Sequence, residues 1–253
     1  MNHRVSILLK GLHKSPYADI VCYPRLTRDE LCNRLKELEQ LRITAIEFTG
    51  EKIVHSTPIL GKGCVGLVVK AFLGVKPVAL KIRRTDADRK EMVHEAEMLK
   101  MANSVNVGPG FFGLSRDFIV MEYLQGLLFP EWLMKTMSKR SVRCVLRLAL
   151  EQCWQLDMIG LDHGELSHAP KHIIVRNDKP CIIDFETASM NRKAQNVTSL
   201  SQYFFISNQT AKHITKKLGA IDQERLKLAL RNYKKKMMRE NFETVLRTAG
   251  LVW

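Results

Sequence analysis

The segment from Leu60 to Val68, Leu-Gly-Lys-Gly-Cys-Val-Gly-Leu-Val, constrains the fold more than any other part of this chain. Gly61, Gly63 and Gly66 are spaced G-x-G-x-x-G, and the residues after them decide the architecture. A dinucleotide-binding unit needs its last glycine to open a helix. Here Leu67-Val68-Val69-Lys70-Ala71-Phe72 is β-branched and apolar and reads as a strand. A Walker A loop needs Gly-Lys followed by Ser or Thr, whereas Gly61-Lys62 is followed by Gly63. Two readings are left. One is an ordinary tight β-hairpin. The other is a glycine-rich turn that closes over phosphates, with Leu60, Gly61, Lys62, Gly63, Cys64, Val65, Gly66 and Val68 around the ligand. The nearby Val78-Ala79-Leu80-Lys81 favours the second, because it sets Lys81 on the next strand, where an ammonium can grip phosphate oxygens.

Composition narrows the class further. With 253 residues, 45% hydrophobic and 26% charged, the chain is ordinary globular protein, long enough for one sizeable core or two small lobes. A formal net charge of +14 favours acidic partners such as nucleotide phosphates or RNA. The six cysteines include no C-x-x-C pair, which argues against a metal cluster or a disulfide framework and for a reduced, cytoplasmic protein. Val5–Leu9 is too short to span a bilayer and reads as a short strand or helix. The start is basic and acid-poor, as in a targeting peptide, but lacks a small-residue cleavage site.

Along the chain, residues 1–50 read as a small separate extension of helix plus strand. Thr27-Arg28-Asp29-Glu30 fits a capping box ahead of Leu31, Leu35, Leu38 and Leu41, and a strand comes next over 42–48. Ile53-Val54-His55 reads as the first strand under the glycine turn. Strands around Val68 and Leu80 precede a helix over about 86–102, then a Gly/Pro-rich connection over 106–113 and a buried strand at Phe118–Met121. Beyond Gly126 the pattern is helical, over 129–137 and 141–159, interrupted by short strands at 172–175 and 181–183 around an Asn177-Asp178-Lys179 turn. From about Thr198 to Trp253 it is helical again. A β-rich half (51–124) followed by an α-rich half (125–253) predicts an α+β, two-lobed plan with a cleft between the lobes.

Three further segments carry chemistry. Met121-Glu122-Tyr123-Leu124 ends a strand. His163-Gly164-Glu165-Leu166-Ser167-His168-Ala169-Pro170-Lys171-His172 is a polar loop between helix and strand. Cys181-Ile182-Ile183-Asp184-Phe185-Glu186 places an aspartate directly after three apolar residues, an expensive site for a charge unless it is paired or metal-bound.

In this order the motifs resemble the protein-kinase-like superfamily, specifically its atypical archaeal-type serine/threonine branch, similar to RIO kinases and the kinase subunit of the KEOPS complex. The resemblance covers about residues 53–210. It implies a β-rich N-lobe, an α-helical C-lobe and an ATP site with Mg²⁺, or Mn²⁺. Lys81 would orient the phosphates with a helix carboxylate; Glu95 and Glu97 both qualify, and the His94-Glu95-Ala96 context favours Glu95. Ala79 and Met121 would line the adenine pocket, and the Glu122 carbonyl and Leu124 N–H would meet its edge. Glu165 stands where the family's catalytic aspartate would act on the acceptor hydroxyl, and Lys171 would stabilise the transferring phosphoryl group. Asp184 would hold the metal. His172 fills the position of the metal-binding asparagine after a two-residue insertion, although magnesium prefers oxygen. Glu186 replaces a glycine, which implies a fixed loop or a further metal contact. The stretch from Asp184 to Asn196 is short and lacks A-P-E, leaving little room for an activation loop or peptide platform.

The reading is an atypical ATP-dependent serine/threonine protein kinase with an unidentified protein substrate and no membrane partner. Three others stay open: a nucleotide-binding pseudokinase, a small-molecule phosphotransferase, and a basic RNA- or ribonucleoprotein-binding scaffold. For the last, Ala211–Arg247 carries eleven Lys/Arg against four Asp/Glu, which equally describes a solvated face.

Overall fold

The computed structural model describes residues 5–206 and 209–252. Residues 1–4 of the N-terminal extension, residues 207–208 and Trp253, the end of the predicted C-terminal helical stretch, lie outside the described residues. The protein is α+β, and its chain divides into two compact units, Met1–Glu97 with Pro109–Leu124 and Met98–Gly108 with Gln125–Trp253.

In the first unit the elements are β1 (Val5–Leu8), α1 (Tyr17–Val21), α2 (Arg28–Gln40), β2 (Ile43–Phe48), β3 (Lys52–Val54), β4 (Thr57–Ile59), β5 (Gly61–Lys62), β6 (Gly66–Leu73), β7 (Lys76–Arg83), most of α3 (Arg89–Asn103), β8 (Phe111–Leu114) and β9 (Phe118–Glu122). An antiparallel sheet runs β1-β2-β6-β7-β9-β8, with β5 paired to the free end of β6. Alternation gives β6 and β7 two distinct faces. Leu67, Val69 and Ala71 with Val78, Leu80 and Ile82 enter one core shared with Leu12, Ile20, Leu38, Ile46 and Phe48. Residues 5–50 are joined to this sheet and core. Their strands extend the sheet and their helices cover one face of it.

α2 starts where the capping box predicts, the Thr27 hydroxyl accepting the Glu30 N–H at 3.3 Å. Its Arg34 is fully buried, donating to Val21 O at 2.6 Å, Arg83 O at 2.8 Å and Glu30 at 2.8 Å. Asp117, also buried, takes Arg83 at 2.6 Å and lies 3.5 Å from Arg34. This network ties α2 to β7 and to the turn before β9. Ile53-Val54 does not underlie the glycine turn. It forms a separate hairpin with β4, closed by His55 and Ser56, both at positive φ as a two-residue primed turn requires. The strand entering the glycine turn is β5. The stretch read as a connection over 106–113 contains the start of β8, which pairs with β9 across an irregularity at Phe111/Gly113.

The second unit contains β10 (Leu127–Leu128), α4 (Phe129–Lys135), α5 (Lys139–Met158), β11 (Ile173–Arg176), β12 (Lys179–Ile182), α6 (Asn196–Phe205), α7 (Gln209–Leu218), α8 (Gln223–Lys235) and α9 (Arg239–Thr248). α5 is capped by Ser138, which accepts the Ser141 N–H at 3.0 Å. Val142, Val145, Leu146, Ala149, Leu150, Cys153 and Leu156 recur at helical spacing and are all buried. Each large apolar side chain so buried contributes roughly 1.5–3 kcal/mol. β10, β11 and β12 form a small antiparallel sheet whose tight turn uses Asn177 and Asp178 at positive φ. It delivers Asp184 just beyond its last strand.

Candidate functional site

In the first unit, strand register gathers the residues predicted to hold a nucleotide. Val68 pairs with Lys81 and Ala79 with Met121, while Ala79 and Lys81 are two apart on β7. Cross-strand partners and i, i+2 neighbours share a face, so Val68, Ala79, Lys81 and Met121 lie on the face opposite the core formed with α1 and α2. On that face α3 packs Met92 and Ala96 against Ile119. The same helical phase directs Glu95 inward, where it pairs with Lys81 at 2.5 Å, both side chains about 5% exposed. Glu97, the other candidate, is exposed.

The glycine turn is closed by the Leu60 N–H to Val68 O at 2.9 Å and the Gly63 N–H to Gly66 O at 2.8 Å. Lys62, Gly63 and Cys64 are exposed at its tip and Val65 is buried. Gly66 has less space than Gly61: a Cβ there would meet Ile82 O at 2.8 Å and Lys81 Cγ at 3.1 Å. At Gly61 it would touch only Val68, at 3.6 Å. β9 ends at Glu122, whose N–H donates to Gly110 O at 2.8 Å; Tyr123 and Leu124 continue half-buried without regular structure.

In the second unit, the loop after α5 and the segment after β12 meet. His163 is fully buried. Its N–H donates to Asn196 Oδ1 at 2.9 Å, its Nε2 pairs with Ile183 O at 3.0 Å, and its carbonyl accepts the Thr187 hydroxyl at 3.0 Å. Burial pushes its imidazole down to about 4, so it is neutral at pH 7 and bonds the Ile183 carbonyl through Nε2–H. Its ring packs on those of His172 and Phe185, with centroids 5.5 and 5.2 Å away.

Glu165, His172 and Asp184 offer ligand atoms that all lie within 4.8 Å of one another. His172 Nε2 is 2.9 Å from Glu165 Oε2, and Nδ1 is 3.9 Å from Asp184 Oδ2. The His172 side chain is 3% exposed, whereas Glu165 and Asp184 are 44% and 43% exposed. Asp184 stands at φ +70°, a left-handed conformation uncommon outside glycine and frequent at functional positions. Lys171 is exposed, and Glu186, half-buried, is not one of the three converging ligands. The donor set suits a divalent cation: two accessible carboxylates and a buried imidazole whose Nδ1 has no hydrogen-bond partner among the described residues.

The short stretch after Asp184 is pinned to this loop. Asp162 and Ser189 exchange two backbone hydrogen bonds, and Arg192 bonds Asp162 at 2.9 Å and Thr187 O at 2.5 Å. Gly164, at φ +90°, lies under Arg192, where a Cβ would be only 2.6 Å from the guanidinium. A network that the motifs do not announce holds the assembly from behind. Asp157 on α5 accepts the Asn196 N–H and side-chain amide, both at 2.8 Å, the Val197 N–H at 3.2 Å and the Tyr233 hydroxyl at 2.9 Å. Burial lifts its carboxyl above the usual range, against these donors. The one signal for it in the sequence is a lone acid on the buried face of an apolar helix.

Lys234, Lys235 and Lys236, at the end of α8, are exposed. Among the described residues, no helix is long and apolar enough to cross a membrane. Compared with known proteins, the sequence matches no protein-family model and no curated protein.

Proposed function

We propose that this protein is an atypical ATP-dependent kinase that transfers the γ-phosphoryl group to a hydroxyl acceptor, in the first instance serine or threonine of a protein. The observation that carries the reading is the buried Lys81–Glu95 pair on the sheet face next to Gly66. A lysine held rigidly by a carboxylate, with a glycine turn packed against its stem, is a device for orienting phosphates. The nitrogen and oxygen donors of His172, Glu165 and Asp184 support a metal-assisted transfer.

ATP supplies the phosphoryl group and the divalent cation the charge neutralisation; the chain supplies positioning. Gly61, Gly63 and Gly66 hold the triphosphate through their backbone, and Lys81, fixed by Glu95, neutralises it. Asp184 holds the cation. Glu165 has Oε2 engaged by His172 and would receive or orient the acceptor hydroxyl through Oε1. Lys171 is exposed on the same loop and can stabilise the phosphoryl group in flight.

The test is phosphoryl transfer from γ-labelled ATP, with Mg²⁺ or Mn²⁺, to the chain itself and to a protein mixture. Transfer lost in Lys81→Ala and Asp184→Ala supports the reading. Nucleotide binding without transfer would make the chain a pseudokinase. Turnover only with hydroxylated metabolites would make it a small-molecule phosphotransferase.

A further inference from the structure

The contact between Glu165 and His172 fixes which imidazole nitrogen can bind a ligand. A carboxylate can only accept, so His172 Nε2, 2.9 Å from Glu165 Oε2, carries the hydrogen. In the neutral ring the lone pair is then on Nδ1. That atom is buried without a hydrogen-bond partner among the described residues and lies 3.9 Å from Asp184 Oδ2. The gap is too wide for a hydrogen bond. It is within the roughly 4.2 Å that two ligands bonded to one ion at about 2.1 Å can span. A carboxylate behind a histidine whose other nitrogen faces outward is how proteins orient metal-binding imidazoles.

We propose that His172 Nδ1 and Asp184 hold a first-row transition-metal dication such as Mn²⁺ in preference to Mg²⁺, and that Glu165 sets the tautomer and aim of His172. The imidazole is the selective element, because Mg²⁺ favours oxygen donors and keeps its waters, whereas transition metals accept nitrogen. The exposed halves of Glu165 and Asp184 leave the ion a way in and positions for water or phosphate oxygens. The proposal deepens the kinase reading and rests on its loop, but it does not require ATP: the ion binds to the protein alone.

Mn²⁺ is titrated into the full chain without nucleotide, and the free aquo-Mn²⁺ signal is followed by electron paramagnetic resonance. One Mn²⁺ per chain is expected, displaced by Mg²⁺ only at tenfold or greater excess. His172→Asn should weaken Mn²⁺ binding more than tenfold and erase the preference over Mg²⁺. Glu165→Gln, whose amide can still accept through its oxygen, should weaken it less than Glu165→Ala, for which a 10–100-fold loss is expected. Because a buried histidine variant can fail to fold, the unaltered protein is also labelled with ¹⁵N-histidine. Two rings, His163 and His172, should show a protonated Nε2 and a bare Nδ1, and the diamagnetic ion Zn²⁺ should shift the Nδ1 signal of one of them alone, which supports the site. Failure of the wild-type chain to take up Mn²⁺, or uptake unchanged in a folded His172→Asn, overturns it, as does the lack of any ring whose Nδ1 the ion shifts. Binding of a fluorescent ATP analogue is measured on the same samples. Nucleotide binding without Mn²⁺ uptake sinks this proposal alone, and Mn²⁺ uptake without nucleotide binding sinks the kinase reading alone.

Discussion

Asn196 Oδ1 accepts the His163 N–H at 2.9 Å, so the first residue of α6 holds the backbone of the loop that presents Glu165. The amide nitrogen of the same side chain donates to Leu161 O at 2.7 Å and to Asp157 at 2.8 Å. Every polar atom of this 1%-exposed side chain is thus employed on loop or helix partners. Asn196→Ala leaves the His163 N–H and the Leu161 carbonyl unsatisfied and should cost about 2–4 kcal/mol in urea unfolding. Asn196→Asp puts a second carboxylate against Asp157 and should be at least as damaging at pH 7, with partial recovery on acidification as the two share a proton.

The Asp157 carboxyl gives stability a sign in pH. Its folded value is raised above the unfolded one, near 3.8, by burial. Its contribution is then fully present below that unfolded value and is lost as pH rises through the raised folded value. Unfolding free energies of the wild type and Asp157→Asn, compared from pH 3 to 8, should show the wild type's advantage greatest at the acid end and shrinking upward. An advantage that grows with pH would mean that the four donors outweigh burial.

Breaking the Lys81–Glu95 pair from one side should be worse than removing both partners. Lys81→Met leaves the buried Glu95 carboxylate without its lysine, and Glu95→Leu does the converse. Each should cost about 3 kcal/mol, while the double variant should regain most of that loss. ATP binding, followed by fluorescence of a labelled nucleotide, should not return with the stability. A strictly additive double-mutant cycle would remove the pair as a structural unit.

Gly61 and Gly66 should not be equivalent. Gly66→Ala drives a Cβ to 2.8 Å from the Ile82 carbonyl and onto the Lys81 stem, so it should lose about 1–3 kcal/mol and weaken nucleotide binding roughly tenfold. Gly61→Ala meets only an ordinary contact at 3.6 Å and should change stability by less than about 1 kcal/mol. Thermal melts and nucleotide titrations on the two variants distinguish steric need from mere glycine-richness.

Elements written in local pattern are legible in the sequence. α2 is announced by Thr27 and Glu30, α5 by its long apolar stripe, and the β11–β12 hairpin by Asn177-Asp178. β5 and β8 are not, because two to four residues carry no readable period and exist as strands only through pairing with β6 and β9. Glu95 could have been separated from Glu97 by helical phase alone, since it shares a face with Met92 and Leu99. The Asp157–Asn196 contact could not, since its partners lie 39 residues apart and neither belongs to a motif. The burial of Arg34 was equally hidden: a charged residue in a capped helix reads as solvent-facing until Asp117, far along the chain, is placed beside it.

Ile43–Phe48 lies along the outer edge of the strand that leaves the glycine turn, pairing Glu47 with Lys70 and Ile46 with Ala71. Without residues 5–50 that edge would present unsatisfied amides and carbonyls above an uncovered apolar face of Leu67, Val69 and Leu80, the conditions under which strands recruit copies of themselves. Two chains diverging at the amino end could therefore keep every residue around Lys81 and Gly66 identical and still differ in solubility. Searches for catalytic activity in pieces of this protein that start at the glycine turn would be reporting on aggregation.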